Sequence, residues 1–225
     1  MSQKPYLIYT DEYIAVAYKP TGMPCQADLT GDFSLIEWAQ QELEEHVHLP
    51  MRLDRPTSGI VMLARDADVM RFMCDDQTAG LCHKEYACLI NKGITPTEGI
   101  LRHRLRKGQN NKTLAYSDER NNEPFVELNY KVIAESDKYS LISAQIQRGK
   151  HHQIRAQFAA SGYPLRGDVK YGAKRSLSDH SIGLHAWRWT GAHPITREKI
   201  EFEAPFSTED KLWAFFADLL TNEMK

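Results

Sequence analysis

Apolar and polar positions follow two periods along the chain. Near the start, Tyr6-Leu7-Ile8-Tyr9 and Tyr13-Ile14-Ala15-Val16-Ala17-Tyr18 are strand-forming runs on either side of Thr10-Asp11-Glu12, which predicts a β-hairpin. Lys19-Pro20-Thr21-Gly22 then breaks the strand. From Ser34 to His46 the period lengthens to that of a helix. Leu35, Trp38 and Leu43 share its inward face, and Ser34 forms a capping pair with Glu37. Ile60 to Ala64 reads as a buried strand, and Asp66 to Thr78 as a helix capped by Asp66 and ended near Gly80. Strands are predicted at Tyr86 to Ile90, Glu127 to Ala134 and Tyr139 to Gln147, and a helix from His151 to Ser161 with Gly162 as its stop. A short strand at Ile200 to Glu203 and a helix from Thr208 to Leu220 close the chain. Strands outnumber helices and are often joined as hairpins, so the expected class is α+β with a largely antiparallel sheet. Residues 92–124, polar and rich in Gly, Asn, Lys and Arg, read as a long functional loop or an inserted sub-domain. No repeat and no Gly/Ser- or Pro-rich linker divides the 225 residues, so a single domain is expected.

Composition narrows the function. Lys+Arg is 28 against Asp+Glu 30, a net charge of −2, which excludes a uniformly basic nucleic-acid coat but leaves room for a local basic surface. Mean hydropathy is −0.52, and no apolar run approaches the ~20 residues of a membrane span. The first residues carry no apolar signal core, which makes the cytoplasm the default location. Cys25, Cys74, Cys82 and Cys88 form no C-x-x-C pair, so reduced, mostly buried thiols are expected rather than a disulfide framework or a zinc knuckle. His46-x-His48 and His151-His152 lack the i,i+4 spacing and third ligand of a metal helix. Phosphate-loop, dinucleotide and nucleophile-elbow motifs are absent.

Four segments can carry chemistry. In Met51-Arg52-Leu53-Asp54-Arg55-Pro56-Thr57-Ser58-Gly59, Asp54 stands in a turn between two arginines. A carboxylate flanked by cations stays ionised, which suits a nucleophile or an electrostatic stabiliser. The bland alternative is an Asp that accepts turn amides beside two solvated arginines. Arg148 to Arg175 holds seven Lys/Arg and one Asp, either a phosphate-binding footprint or a solvated charged helix. Arg102-His103-Arg104-Leu105-Arg106-Lys107-Gly108, with Lys112 beyond, could grip a nucleic-acid backbone or be an exposed basic hairpin. Tyr86, in Lys84-Glu85-Tyr86, is filler unless it serves Asp54. Trp187 and Trp189 could stack on bases, but alternating aromatics on a strand more often pack a core.

Together these segments resemble the RluA family of RNA pseudouridine synthases. Asp11-Glu12-Tyr13 into Ala17-Tyr18-Lys19-Pro20-Thr21-Gly22 resembles the opening strand and K-P-x-G turn. Arg52 to Gly59 resembles R-L-D-x-x-T-S-G, and Lys84-Glu85-Tyr86 resembles K-x-Y. Gly149-Lys150-His151-His152-Gln153-Ile154-Arg155 resembles G-R-T-H-Q-I-R. Pro164-Leu165-Arg166-Gly167-Asp168 with Tyr171-Gly172 resembles P-L-x-G-D-x-x-Y-G. Leu184-His185-Ala186 and His193-Pro194 resemble the closing L-H-A and H-P. The likeness runs from about residue 6 to 206. It departs at Met51, where the family usually has His, at Lys150 for Arg, and at His151 for Thr or Ser. Lys150 keeps the charge and loses the bidentate fork. The S4-type RNA-binding domain of many members finds no room, so a stand-alone catalytic domain is expected.

The resemblance implies the pseudouridine synthase fold and isomerisation of a uridine in structured ribosomal or transfer RNA, flipped into a pocket, with no cofactor. By motif position Asp54 is the nucleophile, Arg155 pairs with it, and Tyr86 stacks on the base and helps the C5 proton leave. Arg52, Lys150, His152, Gln153 and Leu184 would bind substrate, and Asp168 would be structural. The basic stretches Arg102–Lys112 and Arg148–Arg175 would line the RNA groove, and the first of them would discriminate between RNAs. A monomer without protein partners or membrane is expected. The rival reading is a non-catalytic RNA-binding or assembly module of the same fold, which Met51 keeps open. A two-carboxylate sugar hydrolase is a poor fit, because no second carboxylate falls in the motif set.

Overall fold

The computed structural model describes residues 3–117, 123–147 and 149–223; Arg148 of the second basic stretch lies outside them. Ten strands, paired mostly antiparallel, and four α-helices give the expected α+β class. They form two compact units, Met1–Lys84 with His185–Ser207 and Glu85–Leu184 with Thr208–Lys225.

In the first unit, β1 (Tyr6–Thr10) and β2 (Ile14–Lys19) make the predicted hairpin. Asp11 shapes its turn by accepting the amides of Tyr13 and Ile14, each at 2.8 Å. β2 continues antiparallel onto β3 (Ser58–Ala64), and both strands are almost wholly buried, as their unbroken apolar runs foretold. α1 (Leu35–Leu43) starts on a full capping box: Ser34 caps Glu37, and Glu37 takes the Ser34 amide at 2.9 Å. α2 (Ala67–Ala79) is capped by Asp66 and ends on left-handed Gly80. β9 (Leu184–Ala192) runs parallel to β3 through Ser58↔His185 and Gly59↔Ala186, then pairs antiparallel with β10 (Lys199–Glu203). Trp187 and Trp189 are buried there, core residues rather than a base-stacking surface.

His185 ties the T-S-G and L-H-A motifs together. Its Nε2 donates to the Ala204 carbonyl at 3.2 Å, which leaves Nδ1 to accept from Ser58 Oγ at 2.9 Å. Burial holds this imidazole at a pKa of about 4 instead of 6.5. Between those values the folded protein binds fewer protons than the unfolded chain. The stability is therefore complete above pH 6.5 and is lost as the pH falls towards about 4, by up to about 3 kcal/mol. Urea midpoints should drop between pH 7.5 and pH 5, and His185→Gln should be less stable at pH 7.5 yet lose that part of the slope. An unchanged slope in the variant would assign the acid sensitivity to other groups.

The second unit is strand-rich. β4 (His83–Asn91), β8 (Tyr139–Ile146), β7 (Phe125–Glu135), β5 (Glu98–Lys107) and β6 (Thr113–Tyr116) follow one another across its sheet. α3 (Gln153–Ala160) packs Ile154 and Phe158 into an apolar cluster with Cys88, Ile90, Leu128 and Ile142. α4 (Lys211–Glu223) is the closing helix, its first amides capped by Asp210. The stretch expected as a loop or insertion is instead largely the β5–β6 hairpin. Arg102, Arg104 and Arg106 alternate with buried His103 and Leu105 in a strand's period of two, as the basic-hairpin alternative for this segment has it. All four cysteines are free, and Cys25, Cys82 and Cys88 are buried.

Candidate active site

Asp54 sits in the first unit on the turn between α1 and β3, and the neighbouring motif residues brace that turn. Lys19, at the end of β2, is fully buried. Its ammonium donates to the carbonyls of Pro20 (2.9 Å), Met23 (2.8 Å) and Arg55 (3.2 Å). Burial lowers its pKa to about 8, opposed by Cys25 and Asp54, so at neutral pH it remains a cation beside the nucleophile candidate. Cys25 Sγ receives the Leu53 amide at 3.2 Å, and the Thr57 amide closes the turn on the Asp54 carbonyl at 3.0 Å. Arg55 is engaged on its own unit: its guanidinium holds Gly22 O, Asp28, Thr30 and Asp32. It clamps the 28–32 loop, in place of the solvated neighbour of the bland reading. Arg52 is exposed, and Asp54 is partly buried.

Lys19 was visible in the sequence only as part of a turn motif; the clamp it forms was not. Lys19→Met keeps the length of the stem and removes three hydrogen bonds from carbonyls around Asp54. Displacing a reacting group by about an ångström costs on the order of 10²-fold. A loss of that order in turnover, larger than the accompanying drop in melting temperature would explain, is the expected result. Wild-type turnover in Lys19→Met would show that the clamp does not matter.

The remaining candidates belong to the second unit, apart from Lys84 of the K-x-Y motif, which is buried in the first. Tyr86, on β4, is partly buried against the core cluster, and Leu184 lies within that cluster. At the start of α3, His152 adopts a left-handed backbone (φ 52°) and binds Tyr171 Oη through Nδ1 at 2.9 Å. Gln153 is spanned between two main-chain groups, receiving the Lys150 amide and donating to the Glu127 carbonyl, each at 3.1 Å. His152 and Gln153 thus order the helix start, while Lys150 stays exposed. Arg155 is 5% exposed. It grips Asp168 with both arms of its fork, Nε to Oδ2 at 2.7 Å and Nη2 to Oδ1 at 2.9 Å. The structural part given to Asp168 is therefore specific: it orients Arg155. On β5, Arg102 and Arg104 lie over the Phe125 ring at 4.6 and 4.1 Å, and Arg106 lies near Tyr116 at 5.8 Å. The two guanidinium groups share one aromatic ring, with Arg102 also paired to Glu127 at 3.7 Å and Arg104 also bonded to the Glu123 carbonyl.

The model of the RNA pseudouridylate synthase family matches residues 13–160, well over half of the chain. The chain belongs to this family. This pseudouridine synthase is 28% identical over 216 residues to the tRNA pseudouridine synthase C of Pasteurella multocida, covering 86% of this chain and 88% of that one. It is 27% identical over 214 residues to the ribosomal large subunit pseudouridine synthase C of Buchnera aphidicola, covering 88% of this chain and 66% of that one. The solved structure of human RNA pseudouridylate synthase domain containing 4 is similar in fold, with a TM-score of 0.74 at 20% identity over 94% of this chain and 92% of that one. The RluA-type resemblance read from the motifs stands, and with it an isomerase acting on RNA. Among the described residues no helix is long and apolar enough to cross a membrane.

Proposed function

We propose that this synthase isomerises a specific uridine in a ribosomal or transfer RNA stem-loop, with Asp54 as its nucleophile and the base flipped out of the stack. In the overall reaction the N1–C1′ bond breaks, a C5–C1′ bond forms, and the C5 proton is lost as N1 gains one. Atoms and electrons balance within the nucleoside, so no cofactor is called for. Asp54 attacks the nucleoside covalently, either at ribose C1′ with the N1–C1′ electrons leaving on uracil or at uracil C6 with the C5–C6 double bond opening, and is expelled again before product leaves. Tyr86 stacks on the flipped base and assists loss of the C5 proton, and Arg155 holds the Asp54 carboxylate ionised and aimed. Arg52, Lys150 and the arginines of β5 bind the RNA, and the β5–β6 hairpin discriminates between RNAs. The protein works in the cytoplasm, as a monomer.

The observation that carries this reading is the braced turn: Lys19, Cys25 and Arg55 hold the main chain on both sides of Asp54, a construction suited to presenting one carboxylate. Met51, the departure that keeps a non-catalytic module open, packs against the apolar cluster of Met62, Met73 and Trp189, so it replaces a hydrogen-bonding residue with core volume. The test is pseudouridine mapping of total RNA from cells with and without the protein. One or a few sites should vanish in its absence and return with the wild-type gene. Unchanged sites, together with salt-dependent RNA binding by the purified protein, would instead support the non-catalytic module.

A further inference from the structure

Tyr171 lies in the short 3-10 turn Val169–Tyr171, between Asp168 and the left-handed Gly172 (φ 105°), and its ring is 6% exposed. The cation of Arg155 is 5.0 Å from the centre of that ring, and the ammonium of Lys112, at the tip of the β5–β6 hairpin, is 5.2 Å from it. Its hydroxyl receives the Thr113 amide at 2.8 Å, from the first residue of β6. The hydroxyl also shares a hydrogen bond with His152 Nδ1 at 2.9 Å, at the N-cap of α3. His151 stacks on His152 with 3.8 Å between ring centres, and Thr113 Oγ1 binds His151 in turn. Burial raises the phenol's pKa, so it stays protonated and able to donate throughout the working range. The turn also supplies Asp168, the bidentate partner of Arg155. One short turn thus presents a carboxylate and an aromatic face to one guanidinium, while the edge of the same ring is bonded to the basic hairpin.

We propose that Tyr171 is a positioning residue that links the basic β5–β6 hairpin to Arg155. Its ring holds the guanidinium in place, and its hydroxyl holds the hairpin edge and the start of α3. The inference rests on the pseudouridine synthase reading for the part Arg155 plays. It divides the tyrosine into two separable functions. Tyr171→Phe keeps the ring and loses both hydroxyl bonds, which loosens the RNA-binding hairpin. Tyr171→Met fills much of the same space and loses the ring as well as the hydroxyl, which uncovers one face of the Arg155 guanidinium while Asp168 still holds its edge.

The experiment measures tritium release from total RNA labelled at uracil C5, isolated from cells lacking the protein. Y171F should act chiefly on KM, raising it roughly threefold to tenfold, as expected for lost hydrogen bonds. Y171M, which lacks the hydroxyl as well as the ring, should show the same rise in KM and in addition lower kcat on the order of 10- to 100-fold as Arg155 loses the aromatic face beside it. A second readout needs no turnover. The Arg155 Nε–H resonance, assigned by its loss in Arg155→Lys, should keep its exchange protection in Y171F and lose it in Y171M. Equal loss of kcat in both variants, or retained protection in Y171M, overturns the proposal. A wild-type protein that releases no tritium would fail the functional reading instead, and the exchange measurement would still decide the part of Tyr171. Should Y171M not fold, Y171F carries the test: a wild-type KM in that variant overturns the link to the hairpin.

Discussion

Asp54→Asn is expected to abolish pseudouridine formation and to leave the fold intact. The amide has nearly the shape of the carboxylate but no charge and no useful nucleophilicity, so the first covalent step is lost. Removing an enzyme's nucleophile costs at least roughly 10⁴-fold in turnover, about 5.5 kcal/mol of transition-state stabilisation. The turn should survive because its braces act on neighbouring main-chain groups: Lys19 on Pro20, Met23 and Arg55, Cys25 on Leu53, and the Thr57 amide on the Asp54 carbonyl. The melting temperature should therefore move by only a few degrees, corresponding to about 1 kcal/mol. Tritium release from RNA labelled at uracil C5, measured beside a thermal melt, checks both halves. Measurable wild-type-like turnover in D54N would take the nucleophile's role away from Asp54. A collapsed melt would show that the carboxylate itself holds the turn.

The second large effect falls on stability. Gly59→Ala should leave little folded protein. Gly59 has φ 115°, a conformation that L side chains rarely adopt, and it lies where β3 runs against β9. A Cβ there would come within 2.2 Å of the Ala186 carbonyl oxygen and 2.7 Å of its amide nitrogen. Both are main-chain atoms held in the strand pairing, so neither can rotate away as a flexible side chain would. Relief requires parting the strands, which also pulls Ser58 from His185. A loss of more than about 4 kcal/mol is expected, at the far end of what single substitutions do. Soluble yield and a urea titration measure it. A G59A protein with a near-native midpoint would mean that the β3–β9 pairing yields more easily than its geometry allows.

These two residues belong to one motif and serve different ends. The motif R-L-D-R-P-T-S-G contains one candidate nucleophile, and several of its other residues have structural work. Arg55 clamps the 28–32 loop, Ser58 meets His185, and Gly59 admits the neighbouring strand. That division explains why a lone Asp between two arginines was weak as a local signal, and why the ordered series of motifs was strong.

Local interactions carried much of the fold into the sequence. The Ser34–Glu37 capping box, the Asp66 cap, the Gly80 stop and the Asp11 turn each lie within a few residues, so their energetics can be read from spacing alone. The β2 and β3 strands were equally legible, because burial on both faces leaves an unbroken apolar run. The family motifs singled out Asp54, Tyr86 and Arg155 by position. The β5–β6 hairpin was one of two readings the sequence left open, because strand alternation there is written in arginines, whose side chains pack on Phe125 and Tyr116 rather than on a core. Other partners could not be read at all. Ser58 and His185 are 127 residues apart, and nothing local ties Lys19 to Arg55 or Tyr171 to Thr113. A buried hydrogen bond is worth forming only when the fold has already desolvated both groups and brought them within about 3 Å. The sequence by itself determined which residues are available, which segments fold locally and which motif carries the carboxylate. The tertiary structure alone decided which of those residues brace it, because partners so far apart along the chain meet only when folding brings their elements together.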